Sequence, residues 1–271
     1  MSKKVKLGVV GDPIEHSLSP FIHSRFSRNE NVNLNYLAYK VNNDDFDMFI
    51  KEFFQDKEAR GLNITLPHKK RAASLEGKIS QEARYINAVN TIVNDSDKLH
   101  LFSTDGIGFI NDIENRKFNL KNKNILIVGA GAAVESILYR VAAAKPMKIT
   151  VINRTIEKAD RLIRKFGNMT KIKSAVDIDK PFDLIINGSS AGLTGDFFPE
   201  ENIPITSKTY FYDLNYSLTE TPFCKWAIEK SDNVYDGMGM LVYQAAYSFE
   251  KWFNIFPNTD KVINELEEMR E

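Results

Sequence analysis

Residues 124–134 read Asn124-Ile125-Leu126-Ile127-Val128-Gly129-Ala130-Gly131-Ala132-Ala133-Val134. The four apolar residues at 125–128 indicate a strand buried on both faces, and a helix is predicted over 133–144. A glycine turn between a strand and a helix lets a pyrophosphate group approach the helix N-terminus, whose unpaired N–H groups favour anions. Val134 departs from this motif, because its third position is usually Gly or Ala. The stretch predicts a Rossmann-type unit in which Gly129, Ala130 and Gly131 contact a dinucleotide, and the alternative is a plain tight turn.

The strand after this helix bears on which dinucleotide is bound. An NAD site usually has an acidic residue about 20 residues past the glycines, where it accepts a hydrogen bond from the ribose 2′-hydroxyl. Here residues 151–155 read Val151-Ile152-Asn153-Arg154-Thr155, and the first acid is Glu157. Arg154 suits a 2′-phosphate through charge-assisted hydrogen bonds, and Lys158 adds a second positive charge. The alternatives are a solvated loop position for Arg154 and a helix N-cap for Thr155. The pattern favours NADP over NAD as the cofactor.

Strands and helices alternate on both sides of the glycine motif. Before it, strands are predicted over 5–10, 34–41 and 61–65, with helices over 20–29 and 44–55 between them, and residues 91–93 and 99–103 are interpreted as a hairpin. After it, strands are predicted over 149–153, 184–187 and 210–214, with helices over 156–166, 222–229, 238–253 and 260–269. This alternation predicts an α/β fold with mostly parallel sheets, and 271 residues suggest about two domains.

The composition excludes several classes of protein. Hydrophobic residues make up 43% and charged residues 27% of the chain, which excludes intrinsic disorder. Lys and Arg balance Asp and Glu at 36 each, which disfavours a nucleic-acid-binding protein. No stretch approaches the ~20 apolar residues of a membrane-spanning helix, and the N-terminus lacks the apolar run of a signal peptide. With one cysteine, Cys224, and four histidines without metal-ligand spacing, we expect a cytoplasmic protein that binds no metal.

Several polar residues are candidates for chemistry. Residues 67–71 read Pro67-His68-Lys69-Lys70-Arg71, which places three cations where a helix is predicted to begin. A helix N-terminus favours acidic side chains, so this cluster is unfavourable unless a function such as proton transfer requires one of them. An exposed basic turn is the alternative. Ser19 is interpreted as the N-cap of the helix at 20–29, and Asp105 can cap the next helix. Gln244 interrupts the apolar pattern of the helix at 238–253 and faces either solvent or a ligand.

Eight short stretches, taken together and in this order, resemble the shikimate dehydrogenase family, and the resemblance covers nearly the whole chain. They are His16-Ser17-Leu18-Ser19-Pro20, Asn63-Ile64-Thr65-Leu66-Pro67-His68-Lys69, Ala88-Val89-Asn90-Thr91, Thr104-Asp105-Gly106, Gly129-Ala130-Gly131, Asn153-Arg154-Thr155, Asp213-Leu214-Asn215-Tyr216 and Gly237-Met238-Gly239-Met240-Leu241-Val242-Tyr243-Gln244-Ala245. Each stretch is short, but their joint occurrence in the right order is specific.

The resemblance implies roles for individual residues. Lys69 resembles the family's catalytic lysine, and Asp105 resembles its partner. Positions that hold the substrate's hydroxyls and carboxylate in the family match Ser17, Ser19, Thr65, Asn90, Tyr216 and Gln244. The family's NADP site matches Gly129, Gly131, Asn153, Arg154 and Thr155, and segments beside the nicotinamide resemble residues 187–192 and 237–240, with Gly237 and Met240 among the cofactor-binding residues.

The resemblance also implies an activity and an architecture. The family reduces 3-dehydroshikimate to shikimate reversibly with NADPH in aromatic amino-acid biosynthesis, so the same reaction is expected here, with Lys69 as the general acid. The implied fold has an N-terminal α/β substrate-binding domain (residues 1–105 and 238–271) and a Rossmann-type NADP-binding domain (residues 106–237). The active site is expected in the cleft between them, in a monomer or a homodimer whose partners are small molecules.

Three other functions stay open on the sequence. A quinate/shikimate dehydrogenase shares the fold and can accept NAD, although Arg154 without a nearby acid favours the NADP-dependent biosynthetic form. A non-catalytic Rossmann-type sensor would not need both Lys69 and Asp105. A methylenetetrahydrofolate dehydrogenase also uses a lysine, but the segments around Ser17 and Gln244 argue against it.

Overall fold

The structure is a computed structural model that describes residues 4–96, 98–174, 180–189 and 203–270. The chain divides into two compact units: Met1–Gly108 with Val242–Glu265, and Phe109–Leu241 with Leu266–Glu271. The domain breaks expected from the sequence, after residues 105 and 237, lie a few residues before those of the units. Residues 266–271 lie in the second unit rather than the first. The assignment of the substrate to one unit and the cofactor to the other stays a prediction.

The first unit contains a six-stranded mixed sheet. Its strands are β1 (Val5–Gly11), β2 (Leu34–Lys40), β3 (Gly61–Ile64), β4 (Lys78–Ile79), β5 (Thr91–Asp95) and β6 (Lys98–Phe102), in the spatial order β2-β1-β3-β5-β6-β4. β1 runs parallel to β2 and β3, whereas β5 runs antiparallel to β3 and β6. The predicted hairpin is confirmed. Three of the five neighbouring strand pairs are parallel, so the expectation of a mostly parallel sheet is confirmed, and the two antiparallel pairs are β3 with β5 and β5 with β6.

Helices α1 (Ser19–Asn29), α2 (Phe46–Phe53), α3 (Lys69–Ala72) and α4 (Gln81–Ile86) connect these strands. On α2, the apolar residues at helical spacing, Phe46, Ile50 and Phe53, are buried. They belong to one hydrophobic cluster with residues of β3 and β5, including Leu62 and Ile92. This cluster holds the helices on the sheet and thereby places the loops at the strand ends.

The predicted N-cap of α1 is wrong. The helix begins at Ser19, and Leu18 occupies the N-cap position without a side-chain hydrogen bond. Instead, Ser17 Oγ accepts a hydrogen bond from the backbone N–H of Ser19, at 3.3 Å. A serine hydroxyl can accept from the backbone N–H two residues on, and this local turn satisfies the N–H of the first helical residue.

The second unit contains a six-stranded sheet in which every pair of neighbouring strands is parallel. Its strands are β7 (Asn124–Val128), β8 (Lys148–Ile152), β9 (Ile172–Ser174), β10 (Leu184–Asn187), β11 (Tyr210–Asp213) and β12 (Val234–Tyr235), in the order β12-β11-β10-β7-β8-β9. Its helices include α6 (Ala132–Ala143), α7 (Ile156–Phe166) and α8 (Pro222–Ile228). Counted from β7, this is the doubly wound order of a dinucleotide-binding fold, and the Rossmann-type prediction is confirmed.

Three further helices complete the described chain: α5 (Asp105–Asn115), α9 (Met238–Phe253) and α10 (Thr259–Glu268). The units divide within α5, after Gly108, and within α9, after Leu241. The short strands β4, β9 and β12 were not expected from the sequence, because two or three residues carry no readable periodicity. No helix within the described ranges is long and apolar enough to cross a membrane.

One buried polar side chain in the first unit is a histidine. His23 on α1 is fully buried, and its ring stacks on that of Tyr36 with 4.2 Å between the ring centroids. Burial lowers the pKa of His23 from 6.5 to about 3, and this effect outweighs the opposing influence of the Asn63 side chain. The imidazole is therefore neutral in the folded protein at neutral pH, whereas in the unfolded chain it takes up a proton near pH 6.5.

This difference predicts an acid-sensitive fold. Between pH 6.5 and about pH 3 the unfolded chain binds more protons at His23 than the folded chain does. The His23 contribution to stability is therefore complete above pH 6.5 and declines as the pH falls, by up to about 1.4 kcal/mol per pH unit. Urea unfolding of the wild type and His23→Phe at several pH values checks this, because phenylalanine keeps the ring and removes the proton. Replacing the exposed His16 with glutamine should leave the slope in place, and equal slopes for wild type and His23→Phe would contradict the expectation.

Candidate active site

The predicted catalytic pair is in contact in the first unit. Lys69 Nζ donates to Asp105 Oδ2 at 2.6 Å. The aspartate side chain is 8% exposed and the lysine side chain is 22% exposed. The carboxylate is thus largely shielded from water, whereas part of the lysine side chain remains open to a reactant. The structure therefore contains an ion pair whose cation can deliver a proton and whose anion is held in place.

A buried anchor positions Lys69. The preceding residue, His68, is fully buried; its Nε2 lies 2.6 Å from the carbonyl oxygen of Val41, and its ring stacks on Phe46. The carbonyl oxygen of Lys69 also accepts from the backbone N–H of Val89, at 2.9 Å. Helix α3 has only four residues, so the expected conflict between its cations and a helix dipole is small. Lys69 is held in place by its neighbours, not by the helix.

Asn90 holds the other oxygen of the carboxylate. Its Nδ2 donates to Asp105 Oδ1 at 2.9 Å and reaches Gln244 Oε1 at 3.3 Å. Its Oδ1 accepts from the backbone N–H of Thr104, at 2.8 Å, and from Thr91 Oγ1, at 2.9 Å. Asn90 is thus a buried amide with hydrogen-bond partners on both ends. Two of the predicted substrate-binding residues, Asn90 and Gln244, are brought together beside Asp105.

The sheet topology explains this convergence. In the first unit β3 pairs antiparallel with β5, and β5 pairs antiparallel with β6, so that Asn63, Thr91 and Phe102 lie side by side. The end of β3, the start of β5 and the end of β6 therefore share one edge of the sheet. The segments that carry Lys69, Asn90 and Asp105 leave the sheet at that edge.

Next to these residues lies a second group of hydrogen-bonded polar side chains that were not identified from the sequence. Asn63 Nδ2 donates to Ser248 Oγ at 2.9 Å, and Asn63 Oδ1 accepts from the Tyr36 hydroxyl at 2.7 Å. Ser248 Oγ lies 2.8 Å from Thr91 Oγ1 and donates to the carbonyl oxygen of Gln244, at 3.0 Å. A signal existed, because Ser248 falls on the apolar stripe of α9 and Asn63 interrupts a buried strand. Fully satisfied buried networks of this kind hold side chains in one arrangement.

Removing the hydroxyl at the centre of this second group should destabilise the fold. Ser248→Ala removes the contacts of Ser248 Oγ with Asn63 Nδ2 and Thr91 Oγ1, and at about 0.5–1.5 kcal/mol for each lost hydrogen bond the free energy of unfolding should fall by about 1–3 kcal/mol. Urea denaturation measures this. The matched control is Ser24→Ala, because Ser24 is exposed and only donates to a backbone carbonyl within its own helix. Equal unfolding free energies for Ser248→Ala and wild type would show that the network is not maintained in solution.

The remaining predicted substrate residues lie in different places. Ser17 and Ser19 follow β1, and Thr65 follows β3; β1 and β3 are parallel neighbours, with Val10 opposite Ile64. These segments therefore leave the sheet at the same edge. Gly11 at the end of β1 has no room for a Cβ, because Thr65 Cγ2 packs against it. Tyr216 belongs to the second unit.

The predicted phosphate loop has the geometry that close approach of a ligand requires. Gly129 has a φ of +108°, a backbone angle that residues with a side chain rarely adopt. A Cβ at this position would lie 2.8 Å from the backbone of Gly188. Gly131 is the N-cap of α6, and among the described residues a Cβ there would meet only Gly188 O, at 3.9 Å. Ala130 between them is buried. The N-terminus of α6 is thus open to an anion.

Val134, the unusual residue of the glycine motif, is accommodated by a second glycine. Its side chain is fully buried, and its Cγ2 occupies the space that a Cβ on Gly188 would need. The motif normally places a small residue on the helix so that it can pack closely on the strand. Here the small residue is at the end of β10, so the departure seen in the sequence leaves the loop geometry intact.

The segment predicted to bind a 2′-phosphate follows β8, which pairs in register with β7. Arg154 and Lys158 are exposed, and Thr155 is at the N-cap position of α7 without a side-chain cap. Asn153 Nδ2 donates to the carbonyl oxygen of Thr155, at 2.7 Å, which closes the turn. The turn leaves the guanidinium of Arg154 and the ammonium of Lys158 in solvent, where they can meet an anion.

A buried carboxylate organises the ends of β10 and β11. Asp213 accepts from Asn187, Asn215 and Thr221 side chains at 2.7–2.9 Å. The backbone N–H of Gly237 donates to the carbonyl oxygen of Asn215, at 3.0 Å, and Met240 lies in the first turn of α9. Tyr216 follows this cluster directly. Of the segment predicted beside the nicotinamide, residues 190–192 lie outside the described residues.

Three family models match successive parts of the chain. Residues 9–92 match the shikimate dehydrogenase substrate binding domain, residues 112–194 match shikimate / quinate 5-dehydrogenase, and residues 237–267 match the shikimate 5′-dehydrogenase C-terminal domain. A shikimate dehydrogenase (NADP(+)) of Legionella pneumophila (strain Lens) is 41% identical, over 96% of this chain and 98% of its own. The chain belongs to the shikimate dehydrogenase family.

Solved structures of shikimate dehydrogenases share the fold. The enzyme of Thermus thermophilus, in complex with NADP(H) and shikimate, is 28% identical with a TM-score of 0.87, covering 98% of this chain and 99% of that one. The enzyme of Listeria monocytogenes, in complex with shikimate and NAD, is 25% identical with a TM-score of 0.88, covering 98% and 97%. The two structures contain different dinucleotides, NADP(H) in the first and NAD in the second.

Proposed function

We propose that this chain is a shikimate dehydrogenase that reduces 3-dehydroshikimate to shikimate with NADPH, and oxidises shikimate with NADP⁺ in reverse. The observation that carries the proposal is the Lys69–Asp105 ion pair, 2.6 Å long and surrounded by amide and hydroxyl groups in the first unit. A plain structural ion pair would not require a neighbouring set of polar groups that can bind a polyhydroxylated acid. A non-catalytic sensor would need neither the pair nor its partial exposure.

Lys69 is the proton carrier in this proposal. When the ring ketone is reduced, its oxygen gains negative charge and takes a proton from the Lys69 ammonium; in the reverse direction the neutral amine accepts the hydroxyl proton. Asp105 accepts from Lys69 through Oδ2 and from Asn90 through Oδ1, so its carboxylate is held on both sides. The fixed carboxylate keeps the Lys69 amine in the same orientation during reduction of the ketone and during the reverse oxidation.

The substrate's other polar groups are bound by hydroxyls and amides around the pair. Asn90 and Gln244 lie beside Asp105, while Ser17, Ser19 and Thr65 are carried by the neighbouring strand ends β1 and β3. Tyr216, which belongs to the second unit, is also a proposed substrate-binding residue. Such groups can donate and accept, which suits alcohols and a carboxylate, and a site built to pair with them discriminates strongly against analogues that lack them.

The second unit fits NADP. Gly129 and Gly131 leave the N-terminus of α6 open for the pyrophosphate, and Arg154 with Lys158 supplies positive charge for the 2′-phosphate. Asn153 and Thr155 shape the turn that carries Arg154. When bound, the cofactor supplies the hydride that reduces the ketone, while the protein supplies orientation and the proton.

An assay of shikimate-dependent NADP⁺ reduction tests the proposal, with quinate and NAD⁺ as the paired comparisons. We expect turnover with shikimate and NADP⁺, slower turnover with NAD⁺, and little with quinate. Comparable rates with quinate would instead indicate a quinate/shikimate dehydrogenase. Binding of NADP⁺ without turnover of shikimate would support the sensor function and overturn the main proposal.

Other parts of the expectation from the sequence remain predictions. They are a cytoplasmic location, a monomeric or homodimeric state, a reaction site in the cleft between the two units, and the absence of a metal. The described residues contain no group of three or more His, Cys, Asp or Glu side chains that could hold a metal ion.

A further inference from the structure

A buried carboxylate in the second unit has no part in the proposed proton transfer. Asp112 on α5 is fully buried. Its Oδ2 accepts from the Tyr212 hydroxyl at 2.6 Å, and its Oδ1 lies 3.4 Å from Nε of Arg116, one turn further along the helix. Burial raises the pKa of Asp112, and Arg116 offsets only part of this effect. Burying a carboxylate is costly, and Tyr212 and Arg116 offset part of that cost here.

The Asp112 carboxylate also lies against the first turn of α9. A Cβ built on Gly239 would collide with the Asp112 carboxylate, so the helix backbone passes directly against it. The backbone N–H of Met238 donates to Asp236 Oδ1 at 3.1 Å, and Arg270 pairs with the same aspartate. The N-terminal turn of a helix attracts negative charge. Asp236 therefore binds the start of this turn through a hydrogen bond, and the Asp112 carboxylate is in steric contact with the turn at Gly239.

The turn held in this way carries proposed cofactor residues. Gly237 precedes it and Met240 lies within it, and a Cβ on Gly237 would lie only 2.6 Å from the carbonyl oxygen of Leu214. The segment 237–240 is thus confined by α5 on one side and by the loop after β11 on the other. A shift of α5 would move the segment, and displacements of about 1 Å near a reacting centre can lower rates about 100-fold.

We infer that Asp112 is a positioning residue of the nicotinamide site, which fixes the segment 237–240 through its contact with Gly239. The inference rests on the proposed function, because it takes Gly237 and Met240 as cofactor-binding residues. Asp112 touches neither substrate nor cofactor in this account. Its effect should therefore appear in NADPH binding and in turnover, and not in the affinity for shikimate, whose proposed residues lie mainly in the first unit.

The test compares Gly239→Ala, Asp112→Asn and the double variant Asp112→Ala/Gly239→Ala with the wild type. Gly239→Ala should raise the Kd for NADPH and lower kcat, each about tenfold or more, while the KM for shikimate stays near the wild-type value. Asp112→Asn keeps the size and an acceptor for Tyr212 but loses the charge, and it should show the same pattern more weakly. In the double variant the methyl group introduced at position 239 gains the space left by the carboxylate, so NADPH binding should recover in part. Glu114→Gln, on the exposed face of α5, is the matched control and should behave as wild type.

Wild-type NADPH binding by Gly239→Ala would overturn the inference. A double variant that binds NADPH no better than Gly239→Ala would overturn it as well. A fall in the affinities for NADPH and shikimate by the same factor, together with a lowered urea midpoint, would also overturn it by indicating general destabilisation. If Gly239→Ala does not fold, wild-type kinetics and NADPH binding of Asp112→Asn overturn it. Failure of the proposed function is distinguishable, because the wild type would then show no turnover with shikimate and NADP⁺. Even without turnover, the Kd values for NADPH of the variants, measured by fluorescence titration, decide the inference.

Discussion

Replacing Lys69 with alanine should lower the turnover number about 10²–10⁴-fold, the usual contribution of general acid–base catalysis. The physical reason is that no other described cation is bonded to Asp105, so the developing alkoxide would have to take its proton from water. NADPH binding should persist, because Lys69 lies in the first unit and the proposed phosphate-binding residues lie in the second. Steady-state rates with saturating shikimate and NADP⁺, together with NADPH fluorescence titration, measure both quantities.

Lys70→Ala is the matched control for this variant. Lys70 is the next residue along the same short helix, carries the same charge, and is exposed. It should keep wild-type turnover, which would show that position rather than basic charge matters. Near-normal turnover in Lys69→Ala would remove Lys69 from the mechanism, and the Lys69–Asp105 pair would then be a structural ion pair.

Replacing Arg154 with alanine should raise the KM for NADP⁺ about 10–100-fold, the range expected for the loss of charge-assisted hydrogen bonds to a phosphate. The KM for NAD⁺ should hardly change, because NAD⁺ has no 2′-phosphate. The ratio of kcat/KM for the two cofactors is therefore the measurement. Lys158→Ala should shift this ratio in the same direction by a smaller factor, since an ammonium offers no bidentate pairing.

Arg164→Ala is the matched control, because it removes one positive charge from α7 without altering the proposed 2′-phosphate site. Arg164 is exposed near the end of the same helix, away from the turn that Asn153 closes. It should leave the cofactor ratio unchanged. An equal loss of NADP⁺ and NAD⁺ affinity in Arg154→Ala would mean that Arg154 supports the turn rather than reading the 2′-phosphate.

The sequence alone determined features that depend on short stretches of chain. An uninterrupted apolar run followed by two glycines identified β7 and its turn, because burial on both faces and a positive φ each leave a local mark. The helical spacing of apolar residues in α9 predicted its bounds, Met238–Phe253, because one face of the helix is buried. Lys69 and Arg154 were candidates from their local sequence, because their positive charges lie in unfavourable or unexpected places, whereas the catalytic role of Asp105 came only from the resemblance to the shikimate dehydrogenase family.

Only the tertiary structure decided which of these residues meet and what supports them. Asn90 reaches Gln244, 154 positions away, and Asn63 reaches Ser248, 185 positions away, because the antiparallel β5 and helix α9 bring them together. The glycine that accommodates Val134 follows another strand, β10, and the carboxylate against Gly239 is on another helix. Periodicity reports whether a side chain is buried, but its partner depends on strand order and helix packing. The hydrogen bonds that orient Lys69 and the contacts that hold the segment 237–240 therefore could not be read from the order of residues.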